Sequence, residues 1–156
     1  MRKVFLFTLL SLPLFVNACG APHESIGTHS QATLVCPPGR LAMPVGLIGT
    51  WTGVAKHIRK PKWDHQTELV LRAGCSTNTA TYTYHNHEGE VCTSTLKLIS
   101  VAGTTTKTYT FEDTATSSGC VDGTVTLKHY TSGALAGNSF FNWSGPGGRT
   151  SGFLSK

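Results

Sequence analysis

The sequence predicts an all-β domain and, within that class, an eight-stranded antiparallel up-and-down barrel. Short runs rich in threonine, valine and aromatic residues recur along the chain, and turn residues separate them. Polar and apolar residues alternate in these runs with a period of two, as expected when one sheet face is buried. No stretch has the pattern of a long capped helix. Closure removes exposed edge strands, so a barrel is favoured over the alternative, a small β-sandwich.

The strands are expected to begin at Leu47 and to follow one another through short turns. The alternation is clearest where Tyr109 and Phe111 share one face, and where Val121, Gly123, Val125 and Leu127 share another. These positions are expected to point into the barrel. The expected strands are 47–56, 66–73, 79–86, 91–100, 106–112, 120–129, 138–144 and 149–155.

Large aromatic residues are frequent among the inward candidates. An eight-stranded barrel is just wide enough to be filled by side chains or to hold one small ligand. With so many large candidates we expect a packed interior, and a ligand pocket is the alternative. The aromatic candidates are Trp51, Tyr82, Tyr84, Tyr109, Phe111, Phe141 and Trp143.

Residues 1–18 have the pattern of an export signal. A short basic start precedes an apolar run over 4–16, which is too short to span a bilayer as a helix. The small residue Ala18 directly before Cys19 resembles the end of a bacterial lipobox, with Val16 in place of the usual leucine. The resemblance implies that Cys19 is acylated and becomes the mature N-terminus. The alternative is a plain signal peptide, with Cys19 an ordinary thiol.

Acylation would anchor the chain to a membrane, because several acyl chains bind a bilayer stably where one is marginal. By analogy with other lipoproteins, the lack of aspartate after Cys19 implies the outer membrane in a host that has one. Residues 19–46 contain no aromatic residue and carry several prolines and glycines, so we interpret them as a tether and lead-in. The expected organisation is a signal peptide at 1–18, a lipidated tether and lead-in at 19–46, and the barrel at 47–156.

Four further cysteines form an even set, which in an exported domain indicates two disulfides. We call the end of the barrel where the first strand begins the near end, and the opposite end the far end. Each antiparallel strand reverses the chain, so successive connections alternate between the two ends of the barrel. This alternation, which we call strand parity, places Cys36 and Cys75 at the near end, and Cys92 and Cys120 at the far end. Disulfides need their α-carbons within about 7 Å, so the predicted pairs are Cys36–Cys75 and Cys92–Cys120. The competing interpretation, a zinc site, lacks any Cys-x-x-Cys spacing.

Charge is sparse and unevenly placed. Only 13% of the residues are charged and the formal net charge is +5. Strand parity assigns the charged segments 56–65, 85–90, 112–113 and 145–149 to far-end connections, whereas near-end connections are almost neutral. The far end is therefore expected to face away from the membrane and to carry interactions. Nucleic acid is not an expected partner, because acidic residues share this end.

The most distinctive local feature is a basic loop before an aromatic residue. Lys56, Arg59, Lys60 and Lys62 precede Trp63, and together they could hold an anionic group or an acidic protein surface. The alternative is a solvated loop that serves solubility.

His85 and His87 lie two residues apart in an expected hairpin, so their side chains could converge. They are further candidate binding residues. Spacing fixes no third ligand beside them, so no metal site is predicted.

The first strand opens with Gly49, Thr50 and Trp51, and this Gly-x-Trp sequence resembles the first-strand motif of the lipocalin and avidin-like (calycin) barrels. The resemblance implies that Trp51 plugs one end of the barrel and that a late basic residue packs on it. Arg149 is the candidate for that residue. The resemblance implies architecture only and specifies no ligand.

The sequence contains no Gly-x-Ser-x-Gly elbow, no paired-carboxylate signature and no phosphate-cradling glycine loop. We therefore expect neither an enzyme nor a cofactor. The first hypothesis is an envelope-anchored, non-enzymatic binding module that takes a small ligand in the barrel or at its mouth. The alternative is a protein-interaction or inhibitory lipoprotein whose far-end loops contact an envelope protein.

Overall fold

The structure, a computed structural model, describes residues 36–84 and 89–156. It confirms the predicted fold: eight antiparallel strands pair in chain order, and the last pairs with the first to close the barrel. Among the described residues no helix is long and apolar enough to cross a membrane. The strands are β1 Gly49–His57, β2 His65–Leu71, β3 Asn78–Tyr84, β4 Val91–Ala102, β5 Lys107–Ala115, β6 Gly123–His129, β7 Ser139–Gly145 and β8 Gly148–Leu154.

The boundaries of β5 and β6 differ from the prediction. The segment 112–113 was expected to form a charged far-end connection, but β5 continues through it to Ala115. Asp113 pairs with Gly123 of β6 and is only 2% exposed. The alternation that buries Tyr109 and Phe111 therefore extends to Asp113. An aspartate interrupts a strand pattern in sequence, but its carboxyl group has hydrogen-bond partners inside this barrel.

Closure between β1 and β8 depends on two glycines. A Cβ atom on Gly53 would collide with the carbonyl oxygen of Phe153, and one on Gly152 would collide with that of Val54. The two strands thus approach more closely than side chains on these faces would allow. Any larger residue at either position must push β1 and β8 apart.

The near half of the barrel is packed with large apolar side chains. Trp51 is 1% exposed, and its indole N–H donates to the carbonyl oxygen of Leu47 at 2.7 Å. The edge of the Trp51 ring also meets His129, with ring centroids 5.4 Å apart. Trp51 therefore fills the near end as expected. The other fully enclosed large residues are Leu47, Leu69, Leu71, Phe111, Val125, Leu127, Phe141 and Leu154.

The predicted partner of Trp51 is wrong. Arg149 is exposed and pairs with Ser144 at the start of β8, which lies at the far end. The chain continues along β8 to the near end, where Lys156 places its ammonium group 4.9 Å from the centre of the Trp51 ring. Lys156 also donates to the carbonyl oxygen of Gly46 at 2.9 Å. An antiparallel last strand brings its C-terminal end, not its first residue, to the start of β1.

Both predicted disulfides are confirmed. Cys36–Cys75 has a Cα–Cα distance of 5.5 Å and ties the lead-in to the near end. Cys92–Cys120 has a Cα–Cα distance of 5.8 Å and lies at the far end. Because all four thiols are bonded in pairs, they do not form the alternative zinc site. The signal segment 1–18 and the proposed acylation site Cys19 lie outside the described residues.

Candidate functional site

The far half of the barrel is hollow. A cavity of about 240 Å³ opens at the far end, below the roughly 300–1,000 Å³ that drug-sized ligands occupy. The expectation of a wholly packed interior is therefore wrong for this half. Small and polar residues occupy its inward positions in place of the aliphatic side chains of the near half. They include Ala55, Ser94, Ala115, Gly123 and Thr150.

A buried carboxyl group lines the cavity. Asp113 Oδ2 accepts the hydroxyl of Tyr82 at 2.9 Å and the indole N–H of Trp143 at 2.7 Å. Asp113 Oδ1 has no hydrogen-bond partner among the described residues, although its surface is covered. A buried polar atom without a partner is energetically costly, so this oxygen is a candidate contact for a ligand.

Two hydroxyl groups also line the cavity. Ser94 and Thr150 are each 4% exposed, and Thr150 has no hydrogen-bond partner in the described chain. Ser94 lies beside Asp113 and Tyr82, and its action as a hydrogen-bond donor lowers the pKa of the Asp113 carboxyl. Each hydroxyl can donate or accept. The cavity wall thus offers a buried acceptor and two adaptable hydroxyls to an occupant.

Glycines give Trp143 its position. A Cβ on Gly123 would come within 2.6 Å of the indole ring, and one on Gly145 within 2.7 Å. The ring therefore lies across two neighbouring backbones that carry no side chain, which brings its N–H to Asp113. Glycine is required at both positions because the Trp143 ring lies too close to the backbone to leave room for a side chain.

One wall is a continuous run of rings. The centroid of Trp63 lies 5.7 Å from that of Tyr84, and His65 lies 4.9 Å from Tyr84 and 5.3 Å from Tyr82. Tyr82 in turn lies 6.3 Å from Phe141 in the packed half. Such edge and tilted contacts are favourable ring geometries. They hold an apolar, aromatic surface facing the cavity.

The basic loop is folded against the cavity mouth. His57 Nδ1 accepts the backbone N–H groups of Arg59 and Lys60 at 3.1 and 3.0 Å. Its other nitrogen lies 3.3 Å from the carbonyl oxygen of Gly147. The backbone N–H of His57 also donates to Asp64 at 2.8 Å. These contacts fix the loop as a rim.

The second side of the rim is held by the far-end disulfide. Cys92 and Cys120 both line the cavity. Ser117 accepts the backbone N–H of Thr93 at 2.9 Å, and Asp122 accepts that of Ala115 at 2.8 Å. The segment between β5 and β6 is thereby attached to the start of β4 and to the end of β5.

Burial raises the pKa values of three groups in the cavity wall, Asp113, Tyr82 and Tyr84. Removal from water raises the pKa of Asp113, donors from Ser94, Tyr82 and Trp143 oppose the rise, and the negative charge of Asp122 adds to it. Burial, followed by the charge of Asp113, holds the pKa of Tyr82 well above its usual value. Burial and the charge of Glu90 raise the pKa of Tyr84. Tyr82 is therefore a neutral hydrogen-bond donor at neutral pH.

The structure separates the sequence-predicted binding residues. Lys60 and Trp63 line the cavity, whereas Lys56, Arg59 and Lys62 are exposed and do not. The Lys62 ammonium lies 5.8 Å from the centre of the Trp63 ring. The other two predicted binding residues, His85 and His87, lie outside the described residues.

Sequence reasoning missed the buried centre of the site, Asp113, and the neighbouring His65. The two-residue alternation of side chains could have identified both residues, because Asp113 continues the inward positions of β5 and His65 those of β2. A polar residue at an inward position near a strand end is ambiguous in sequence, since the strand could equally have ended. Tyr82 and Trp143 were candidates for either core or pocket, and they line the pocket.

The arrangement is suited to holding a small molecule by a few polar contacts between aromatic rings. Within residues 36–84 and 89–156 no group of three or more histidine, cysteine, aspartate or glutamate side chains could hold a metal ion. No family model, curated protein or solved structure matches the chain significantly. Function is therefore inferred from the cavity itself.

Proposed function

We propose that this protein is a non-enzymatic binding module that takes a small ligand into the far-end cavity. The observation that supports this function is a hollow half-barrel whose wall carries buried polar atoms without partners in the described chain, at Asp113 and Thr150. Packing alone would favour filling this space with apolar side chains, as in the near half. A ligand that satisfies these atoms would offset the cost of leaving them buried.

The same proposal places the module at the bacterial cell envelope. The lipobox-like sequence at Cys19 supports acylation, and the proline- and glycine-containing stretch 19–46, interpreted as a tether and lead-in, would then connect the barrel to the membrane. Replacing Cys19 with serine is expected to abolish both precursor processing and partition into membranes. Unchanged partition would contradict a lipid anchor.

Native mass spectrometry of the chain isolated from its own host tests the binding function. Wild-type protein is expected to retain a small-molecule adduct that Ser94→Phe, which fills the cavity, loses. Thr95→Phe is the matched control, because the next residue of β4 lies outside the cavity. Equal retention by Ser94→Phe would place the ligand elsewhere, and the milder Ala115→Leu serves if that variant does not fold. Absence of any adduct from wild-type protein counts against the proposal.

A protein-binding role for the rim is the second candidate. Lys56, Arg59 and Lys62 are exposed outside the cavity, on a loop whose backbone is fixed by His57. A preorganised basic surface lowers the entropic cost of binding an acidic protein surface. Replacing these residues and Lys60 with serine should then weaken capture of an envelope partner, and unchanged capture would reject the loop as its contact surface.

A further inference from the structure

We infer that the ligand of the far-end cavity is a small organic ammonium ion, bound through Asp113 with its apolar body between the aromatic rings. This inference deepens the proposed binding function and rests on it. Its first support is the unpartnered oxygen Asp113 Oδ1, on a side chain that is 2% exposed and lines the cavity. An ionised carboxylate can only accept, so the complementary ligand group must donate.

The surrounding charges favour a cation over a neutral donor. Asp122 adds to the negative potential at Asp113, and the mouth carries one residue of each sign, Lys60 and Glu90. A neutral hydroxyl would satisfy Oδ1 but would leave the buried negative charge uncompensated. An ammonium supplies both the donor and the countercharge. Its remaining N–H groups can donate to hydroxyls of the cavity wall such as that of Thr150, which has no partner in the described chain.

The rings supply the second element of cation recognition. Trp63, Tyr84, Tyr82 and Trp143 all line the cavity, and ring faces attract ammonium groups through their quadrupoles. Tyr82 and Trp143 direct their polar hydrogens to Asp113 Oδ2, which leaves Oδ1 for the ligand. An anion is disfavoured because it would have to approach the buried carboxylate. The aromatic surface is suited to an apolar ligand body of about one ring, given the small volume.

Titration of the purified protein with 2-phenylethylamine and with the near-isosteric 2-phenylethanol tests the ligand class, because the two differ chiefly in charge. Calorimetry is expected to give at least a tenfold lower Kd for the amine. Asp113→Asn should lose at least tenfold of the amine affinity and leave the alcohol unchanged. Glu112→Gln is the matched control, since this neighbouring carboxylate pairs with Lys97 at 3.4 Å and does not line the cavity.

Equal affinity of wild-type protein for the two compounds would overturn the ammonium assignment without any variant. Retained amine affinity in folded Asp113→Asn would overturn it as well. If both compounds bind equally and Ser94→Phe abolishes both, the binding module stands and only the ligand class fails. If neither compound binds but native mass spectrometry shows a non-amine adduct that Ser94→Phe loses, the binding module again stands and the ammonium assignment fails. Absence of both binding and adduct would reject the two proposals together.

Discussion

The two halves of this barrel share the same eight strands but bury different chemistry. In the near half, Trp51 and a layer of leucine and phenylalanine side chains are fully enclosed. In the far half, the same strands turn Ser94, Asp113 and Thr150 inward around a cavity of about 240 Å³. The near half therefore contributes most of the apolar packing, whereas the far half leaves part of its interior open. Substitutions of inward-facing residues should therefore lower stability more in the near half and change ligand binding more in the far half.

The largest expected effect comes from comparing the buried indole of Trp51 with the partly buried indole of Trp143. Trp51→Ala should lower the free energy of unfolding by about 3–5 kcal/mol, as other large-to-small core substitutions do. Trp143→Ala should cost less, about 1–2 kcal/mol, because its ring already borders open space, yet it should weaken ligand binding. Urea denaturation and calorimetric titration measure both quantities. Equal destabilisation by the two variants would contradict the division into a packed and a hollow half.

The disulfides offer a second comparison. Their sequence separations are 39 and 28 residues, so removing either by a double serine substitution should cost about 3–4 kcal/mol in the chain-entropy description. Only loss of Cys92–Cys120 should also change ligand affinity, because these residues line the cavity. Thermal unfolding with and without ligand separates the two effects. A binding defect on loss of Cys36–Cys75 alone would show that the halves are coupled.

Asp113→Asn should stabilise the ligand-free protein at pH 7 by on the order of 1 kcal/mol while it weakens amine binding. The pKa of Asp113 is raised in the folded state, chiefly by burial, so the folded protein holds this proton to higher pH than the unfolded chain does. Stability from this residue is thus complete below the unfolded pKa and falls as pH rises through the folded pKa. The advantage of the asparagine should therefore vanish below about pH 4. Destabilisation at pH 7, measured by urea denaturation, would contradict this view.

The smallest expected effect concerns the near-end plug. Lys156→Ala should lower stability by about 0.5–1 kcal/mol through loss of its contact with the Trp51 ring. Arg149→Ala should change stability by less than about 0.5 kcal/mol, because the residue is exposed at the far end. Thermal melts of the two variants side by side decide between them. A larger effect of Arg149→Ala would restore the assignment implied by the calycin resemblance.

The two-residue alternation of polar and apolar side chains, together with strand parity, predicted most of the fold. Alternation placed Tyr109, Phe111, Val125 and Leu127 inside the barrel, and the structure buries all four. It placed Val121 on the same face wrongly, because β6 begins only at Gly123 and Val121 is 49% exposed. Counting connections also gave the disulfide pairing, because each strand reverses the chain and assigns every loop to one end. Both inferences need only the direction and the two-residue repeat of a strand. The candidate site was less accessible, since Asp113 was assigned to a loop.

The sequence by itself determined the strand number, the inward faces and the pairing of the cysteines. Only the tertiary structure decided that one half is packed and the other hollow, that Asp113 accepts from Tyr82 and Trp143, and that Lys156 rather than Arg149 meets Trp51. Side chains far apart in the chain become neighbours through the register and closure of the sheet. Strand period sets which way a residue points, but closure sets what it meets across the barrel.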